Sequence, residues 1–270
     1  MIKKMFFGIL AMLALVCAGS WYYIHQNQAQ AVKAEARKTY IQSSSPTIFF
    51  HGWGSSSRAE RHMANAAKKA GVTQTIIEAK VAEDGTVTLK GTIPKDAVNP
   101  IVLVNFDNNR GASTQDQGNY AYAVVKALQD TYGIKEMNMV AHSYGNVTIV
   151  YYMLQHGSDT SLPKLVKQVD IAGHFNGIIG IDEPENITLD DEGKPSSMRE
   201  SYQELLSLGN HYPQGQVEIL NIYGNTGKGS DERAGMGGVQ QSCHKEAEKS
   251  AGFKKCETDK KVQHGTPQSI

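Results

Sequence analysis

The chain has 270 residues, with 27 basic side chains balancing 27 acidic ones and 40% apolar residues. That length suits one sizeable α/β domain with a short extra segment. The cancelling charge argues against nucleic acid as a partner and against bulk electrostatic steering, and the apolar content excludes a disordered chain.

At the start, Lys3 and Lys4 precede Met5–Ile24, an uncharged run whose apolar core ends near Ala18. Trp21-Tyr22-Tyr23 near its end has the character of an interfacial aromatic belt. Residues 1–31 therefore read as an export segment. They form either a signal peptide cut after the small-x-small site Ala29-Gln30-Ala31 or an anchor just long enough to span a bilayer. Val16 is too large to precede a lipidated Cys17. Residues 32–45 follow as a polar linker, ending in Ser43-Ser44-Ser45.

Pro46–Phe50 is expected to be a buried strand, closed by His51-Gly52-Trp53-Gly54. Arg58–Gly71 has alanines and Met63 along one face and a glycine cap, the pattern of a helix. Thr73–Lys80 and Thr86–Ile93 flank the turn Glu83-Asp84-Gly85 and predict an antiparallel pair. Ile101–Phe106 is almost wholly apolar, as a strand covered on both faces must be. The loop Asp107–Gly118 leads to a helix over Asn119–Tyr132, capped at Gly133.

Met137–Val140 is a short apolar strand, and Asn146–Leu154 carries apolar residues at helical spacing. Between them lies Ala141-His142-Ser143-Tyr144-Gly145. A strand that enters a helix through small-x-Ser-x-Gly lifts the serine hydroxyl above the sheet edge and aims a helix N-terminus at it. Ser143 is the candidate nucleophile. The amides of Trp53, after the first strand, and of Tyr144, after the serine, are the candidate oxyanion hole. His51 reads as a brace for its loop rather than a base.

Beyond the elbow, Leu165–Gly173 predicts another strand, running into His174-Phe175-Asn176-Gly177 and the polar excursion Asp182–Ser201. Tyr202–Leu208 predicts a short helix and Gln216–Tyr223 a further strand. Strands alternating with helices indicate a doubly wound, mostly parallel sheet.

His-Gly-Trp-Gly, Ala-His-Ser-Tyr-Gly-Asn, Asp-Ile-Ala-Gly-His-Phe-Asn-Gly and Ile-Tyr-Gly-Asn…Gly-Ser-Asp, in this order from Ser45 to Asp231, together resemble one family. It is the exported α/β-hydrolase family of unknown substrate from low-GC Gram-positive bacteria. The resemblance implies the α/β-hydrolase fold over residues 46–231, with a lid-like insertion at about 174–208. It also implies a Ser–Asp–His triad with Ser143 as nucleophile and Asp231 as acid. The family usually follows this Asp with Gly, a hydrophobic residue and Pro or Ser, where this chain has Glu232-Arg233-Ala234-Gly235. In the order Ser…Asp…His the base lies beyond Asp231, which leaves His244 and His264. His264-Gly265 is the better match to the family's late histidine. Asp170 is the alternative acid. Residues 232–270 form an atypical Gly-, Gln- and Lys-rich segment.

Cys243 and Cys256, thirteen positions apart, would need a break in any helix joining them before they could pair. No Cys/His cluster has metal-site spacing, so neither metal nor cofactor is expected. Trp53, Tyr144 and Phe175 would give the mouth of the site an aromatic lining. The expected partner is then a small-molecule or lipid-like acyl substrate, with the membrane as a second partner if the first segment stays uncleaved. The expected activity is ester hydrolysis outside the cell or at its outer face. The alternatives are acyl transfer to a cell-surface acceptor, or a binding protein that keeps the fold without the chemistry.

Overall fold

The computed structural model describes residues 2–178, 183–184, 186–188 and 195–222, with side chains from residue 14 onward. Within these, the strands are β1 Thr47–Phe50, β2 Ile76–Val81, β3 Val87–Lys90, β4 Ile101–Phe106, β5 Glu136–His142, β6 Lys164–Ile171 and β7 Glu218–Ile222. The helices are α1 Ile2–Thr39, α2 Arg58–Lys69, α3 Thr114–Tyr132, α4 Gly145–His156 and α5 Glu200–Leu205, with a 3-10 turn at Leu208–Asn210.

The strands form one sheet in the order β3-β2-β4-β1-β5-β6-β7. Only the β2–β3 pair is antiparallel. β4 is buried at every position but Asn105, as its unbroken apolar run requires. β1 lies between β4 and β5 in parallel register, Phe49 opposite both Leu103 and Val140 and Phe50 opposite Ala141. The turns leaving β1 and β5 therefore emerge side by side at one sheet edge, where doubly wound sheets place their sites.

The larger core covers one sheet face. Ile48, Phe50, Val104, Met137, Met139 and Ala141 pack there with Val124, Val125 and Leu128 of α3 and with the inner residues of α4. Every residue from Gly145 to Met153 is buried, so α4 is apolar all round and sits inside the molecule rather than on it. On the other face, Ala64 of α2 packs with Phe49, Ile101 and Leu103.

α3 begins at Thr114, five residues before the sequence pattern places it. The Ser113 hydroxyl accepts from the Asp116 amide at 3.1 Å and the Asp116 carboxylate accepts from the Ser113 amide at 3.1 Å. This capping box supplies the start that the apolar spacing, interrupted by Gly118, does not show. The N-terminal segment is one continuous helix through residues 31 and 32. Its last turns dock on the body at Gly71, where a side-chain Cβ would lie 3.0 Å from Val32 and 3.1 Å from Ala36. Leu15, Val16 and Trp21–Ile24 are exposed. Among the described residues, no helix is long and apolar enough to cross a membrane.

Candidate active site

Ser143 links β5 to α4 with φ +55°, in the left-handed region where a residue with a side chain is strained by roughly 1–2 kcal/mol. The surroundings hold it there. Its amide donates to the Ile171 carbonyl at 2.9 Å. Asn146, fully buried, donates its side-chain amide to the carbonyls of Ser143 (2.7 Å) and Ile171 (3.0 Å). The elbow is thus tied to the end of β6 by one asparagine, a role that its place in the Ser-Tyr-Gly-Asn string does not reveal.

Gly145 explains why the elbow needs a small residue there. A Cβ at that position would stand 2.5 Å from the Phe50 carbonyl oxygen and 2.8 Å from that of His51. The N-terminus of α4 presses on the end of β1, and backbone atoms cannot move aside as a flexible side chain could. The same crowding brings the β1 turn to Ser143: a Cβ on Gly52 would lie 3.0 Å from Ser143 Cβ and 3.4 Å from its Oγ.

The β1 turn is held from both sides. His51, 2% exposed, accepts the Phe106 amide on Nε2 at 3.1 Å, so Nδ1 carries the proton and donates to the Gly52 carbonyl at 2.9 Å. Burial lowers the pKa of this imidazole and the bond to Gly52 offsets only part of that, leaving a neutral brace. Beyond it, the Gly54 amide donates to Asn109 O at 2.7 Å and Asn109 Nδ2 to Ser55 O at 2.6 Å. The Trp53 indole N–H donates to Arg110 O at 3.1 Å, and the Arg110 guanidinium lies 5.1 Å from the centre of the indole ring. Nothing in the loop Asp107–Gly118 marks Arg110 in the sequence.

The Trp53 main-chain amide has no hydrogen-bond partner among the described residues, as a donor reserved for a ligand must not. Tyr144 is half-buried, its ring 6.3 Å from that of His174. Phe175 is 4% exposed and belongs to the main core, so its ring contributes little to an open mouth. His142, beside Ser143, is exposed, yet partial desolvation of its imidazole lowers the pKa.

Asp170 and Glu60 are carboxylates buried in the body of the protein. Asp170, fully buried, pairs in register with Ala141 and Asn221, one residue before the carbonyl that receives the Ser143 amide. Gln168 Nε2 donates to both its oxygens at 3.0 Å, and the Tyr212 hydroxyl donates to Gln168 Oε1 at 2.6 Å. Glu60, in the first turn of α2, is 1% exposed, and its Oε2 has no partner among the described residues. Burial pushes its carboxyl up to about 7.

After β6, Asn176 clips the ends of the excursion together. Its Nδ2 donates to Ser197 O at 3.0 Å and its Oδ1 accepts the Arg199 amide at 2.9 Å. The Tyr151 hydroxyl shares its one proton between Ser201 O (2.9 Å) and Glu204 Oε2 (2.8 Å), fixing α5 on α4. Asp231, His244, His264, Cys243 and Cys256 lie outside the described residues. Among those described, no group of three or more His, Cys, Asp or Glu side chains could hold a metal ion.

Residues 34–263 match the model of the family described as Alpha/beta hydrolase of unknown function (DUF915). The chain belongs to this family. Solved structures agree on the fold. The product of gene lin2722 from Listeria innocua is similar at a TM-score of 0.58 and 23% identity, over 66% of this chain and 68% of that one. A Lactobacillus plantarum WCFS1 protein, provisionally described as a cell surface hydrolase, is similar at a TM-score of 0.56 and 18% identity, over 67% and 68%. No curated protein matches. The sheet, the elbow and the flanking helices of this DUF915 member are those of an α/β-hydrolase.

Proposed function

We propose that the protein is an exported serine hydrolase that cleaves an ester or related acyl bond through a Ser–Asp–His triad and an acyl-enzyme. The observation that carries this reading is the strained Ser143 at the head of α4, with the β1 turn 3.4 Å from its hydroxyl oxygen as measured from a Cβ at Gly52. A serine held at positive φ by three hydrogen bonds, to Ile171 O and from the main-chain and side-chain amides of Asn146, is strain retained for presentation of the hydroxyl.

In this mechanism the Ser143 oxygen attacks the acyl carbonyl while His264 takes its proton, and Asp231 orients that imidazole. The carbonyl oxygen, now negative, sits between the amides of Trp53 and Tyr144, each contributing about 10²–10³ in rate. His264 returns the proton to the leaving alcohol. Water then attacks the acyl-enzyme with the same histidine as base, releasing the acid and restoring the serine hydroxyl. An exported location is supported by the lysine-led apolar segment at residues 3–24 and by the surface assignment of the Lactobacillus relative. The aromatic side chains of Trp53 and Tyr144 favour a lipid-like or short acyl group over a peptide.

Hydrolysis of 4-nitrophenyl esters of increasing chain length tests the reading. Activity is expected with wild type, and Asp231→Asn should lower it by about 10⁴-fold. If Asp231→Asn is silent and Asp170→Asn is not, the acid is Asp170. If no ester is turned over by folded protein, the fold serves binding rather than catalysis.

A further inference from the structure

One cation packed against the β1 turn has its donors unspent. Arg110 is exposed, and none of its side-chain N–H groups donates to a protein acceptor among the described residues. The carboxylates nearest it in sequence are engaged elsewhere: Asp107 pairs with Lys80 at 2.9 Å, and Asp116 caps α3. A guanidinium offers five donors in a fixed fork that matches carboxylate and phosphate oxygens.

Its position is set by the oxyanion loop itself. A Cβ on Gly54 would lie 3.0 Å from Arg110 Nε, and a Cβ on Gly52 lies 3.4 Å from Ser143 Oγ. At most about 7 Å of backbone separates those two glycines. With the Cβ bonds and distances added, the hydroxyl and the guanidinium stand within about 16 Å, on the two ends of one short loop. The indole of Trp53, 59% exposed, lies beside the cation, and its ring N–H holds the Arg110 carbonyl. The indole bond holds the Arg110 main chain and the ring contact restrains the guanidinium, which lowers the ordering cost of binding.

We infer that Arg110 is a specificity residue: it binds an anionic group of the substrate, so the enzyme takes acyl esters whose acyl chain carries a carboxylate or a phosphate. This rests on the serine-hydrolase reading and names its substrate class. The competing account is that the Arg110–Trp53 stack only clamps the oxyanion loop, in which case its loss slows every ester alike. With no net charge on the chain to attract anions in bulk, discrimination falls to this local contact.

The test compares three esters on the full chain: 4-nitrophenyl butanoate (neutral), mono-4-nitrophenyl glutarate (carboxylate) and 4-nitrophenyl 4-phosphonobutanoate (phosphonate). Wild type should favour at least one anionic ester over the neutral one by about tenfold or more in kcat/KM, chiefly through KM. Which anion is favoured distinguishes carboxylate from phosphate recognition. Arg110→Gln should bring that ratio near one, and Arg110→Lys should restore part of it. An unchanged ratio in Arg110→Gln, or no anionic preference in wild type, overturns the proposal. A second readout avoids turnover: calorimetric titration of Ser143→Ala with methyl hydrogen glutarate, methyl 4-phosphonobutanoate and dimethyl glutarate. At least one anionic ligand should bind more tightly than the neutral diester, and Arg110→Gln in that background should abolish the difference. If neither anion is preferred, or the preference survives Arg110→Gln, the contact is absent whatever the catalytic result. Failure of esterase activity with this binding intact would sink the hydrolase reading alone.

Discussion

The elbow and the excursion after β6 leave the same edge of the sheet from neighbouring parallel strands, His142 standing opposite Ile171. They are held by different physics. At the elbow the constraint is backbone against backbone: Gly145 lies so close to the Phe50 and His51 carbonyls that no side chain fits, and Ser143 is forced into a strained conformation. In the excursion the constraint is a set of side-chain hydrogen bonds, from Asn176 to Ser197 and Arg199 and from Tyr151 to Ser201 and Glu204. Steric exclusion by main chain has no cheap relaxation, whereas a lost hydrogen bond can be replaced by water. The first region should therefore fail all at once and the second by degrees.

Substitutions can break or sharpen that contrast. The largest effect belongs to Ser143→Ala, which should lower ester turnover by roughly 10⁶-fold while circular dichroism stays native. Turnover within tenfold of wild type would remove Ser143 from the chemistry. Gly145→Ala comes next. Placing a methyl group 2.5 Å from a carbonyl oxygen should cost at least about 3 kcal/mol in urea unfolding, and activity with it. A near-neutral result would show that α4 can slide, and that the elbow is not sterically locked. Tyr151→Phe removes the shared hydrogen bond to α5 and should cost only about 1–2 kcal/mol with turnover within a few-fold. A collapse of activity would instead make the seating of α5 part of the catalytic geometry.

A pH dependence gives a further test of burial. The carboxyl of Glu60 is raised from 4.5 to about 7 by burial. The native state therefore holds this proton more tightly than the unfolded chain does. Its contribution to stability is full below about pH 4.5, declines as pH rises, and is lost by about pH 7. Glu60→Gln should flatten that part of the urea-midpoint profile between pH 5 and pH 8. An identical slope in wild type and variant would show that Glu60 is solvated after all.

The same contrast governs how much was legible in the sequence. β4 and the strand–Ser143–helix bend are written in runs of a few adjacent residues, so composition and spacing reveal them. α5, Glu200–Leu205 against an expected Tyr202–Leu208, starts two residues early and ends three early, a 3-10 turn at Leu208–Asn210 standing in place of a further helical turn. α3 starts early for want of a pattern that includes its capping box. What holds the site from outside was not legible. Arg110 on Trp53, Asn146 on Ile171, Tyr151 on Glu204 and Tyr212 on Gln168 join residues 25 to 57 positions apart, and no periodicity records such a meeting. Asp231 and His264 rest on the family pattern alone.

The account stands or falls on whether the hydroxyl of Ser143 is an activated nucleophile. Incubating folded protein with a fluorophosphonate probe, followed by intact-mass and peptide mapping, reads this directly. A single adduct is expected on the peptide that contains Ser143, absent from Ser143→Ala. Folded, unlabelled wild type, or an adduct on another serine, would contradict it.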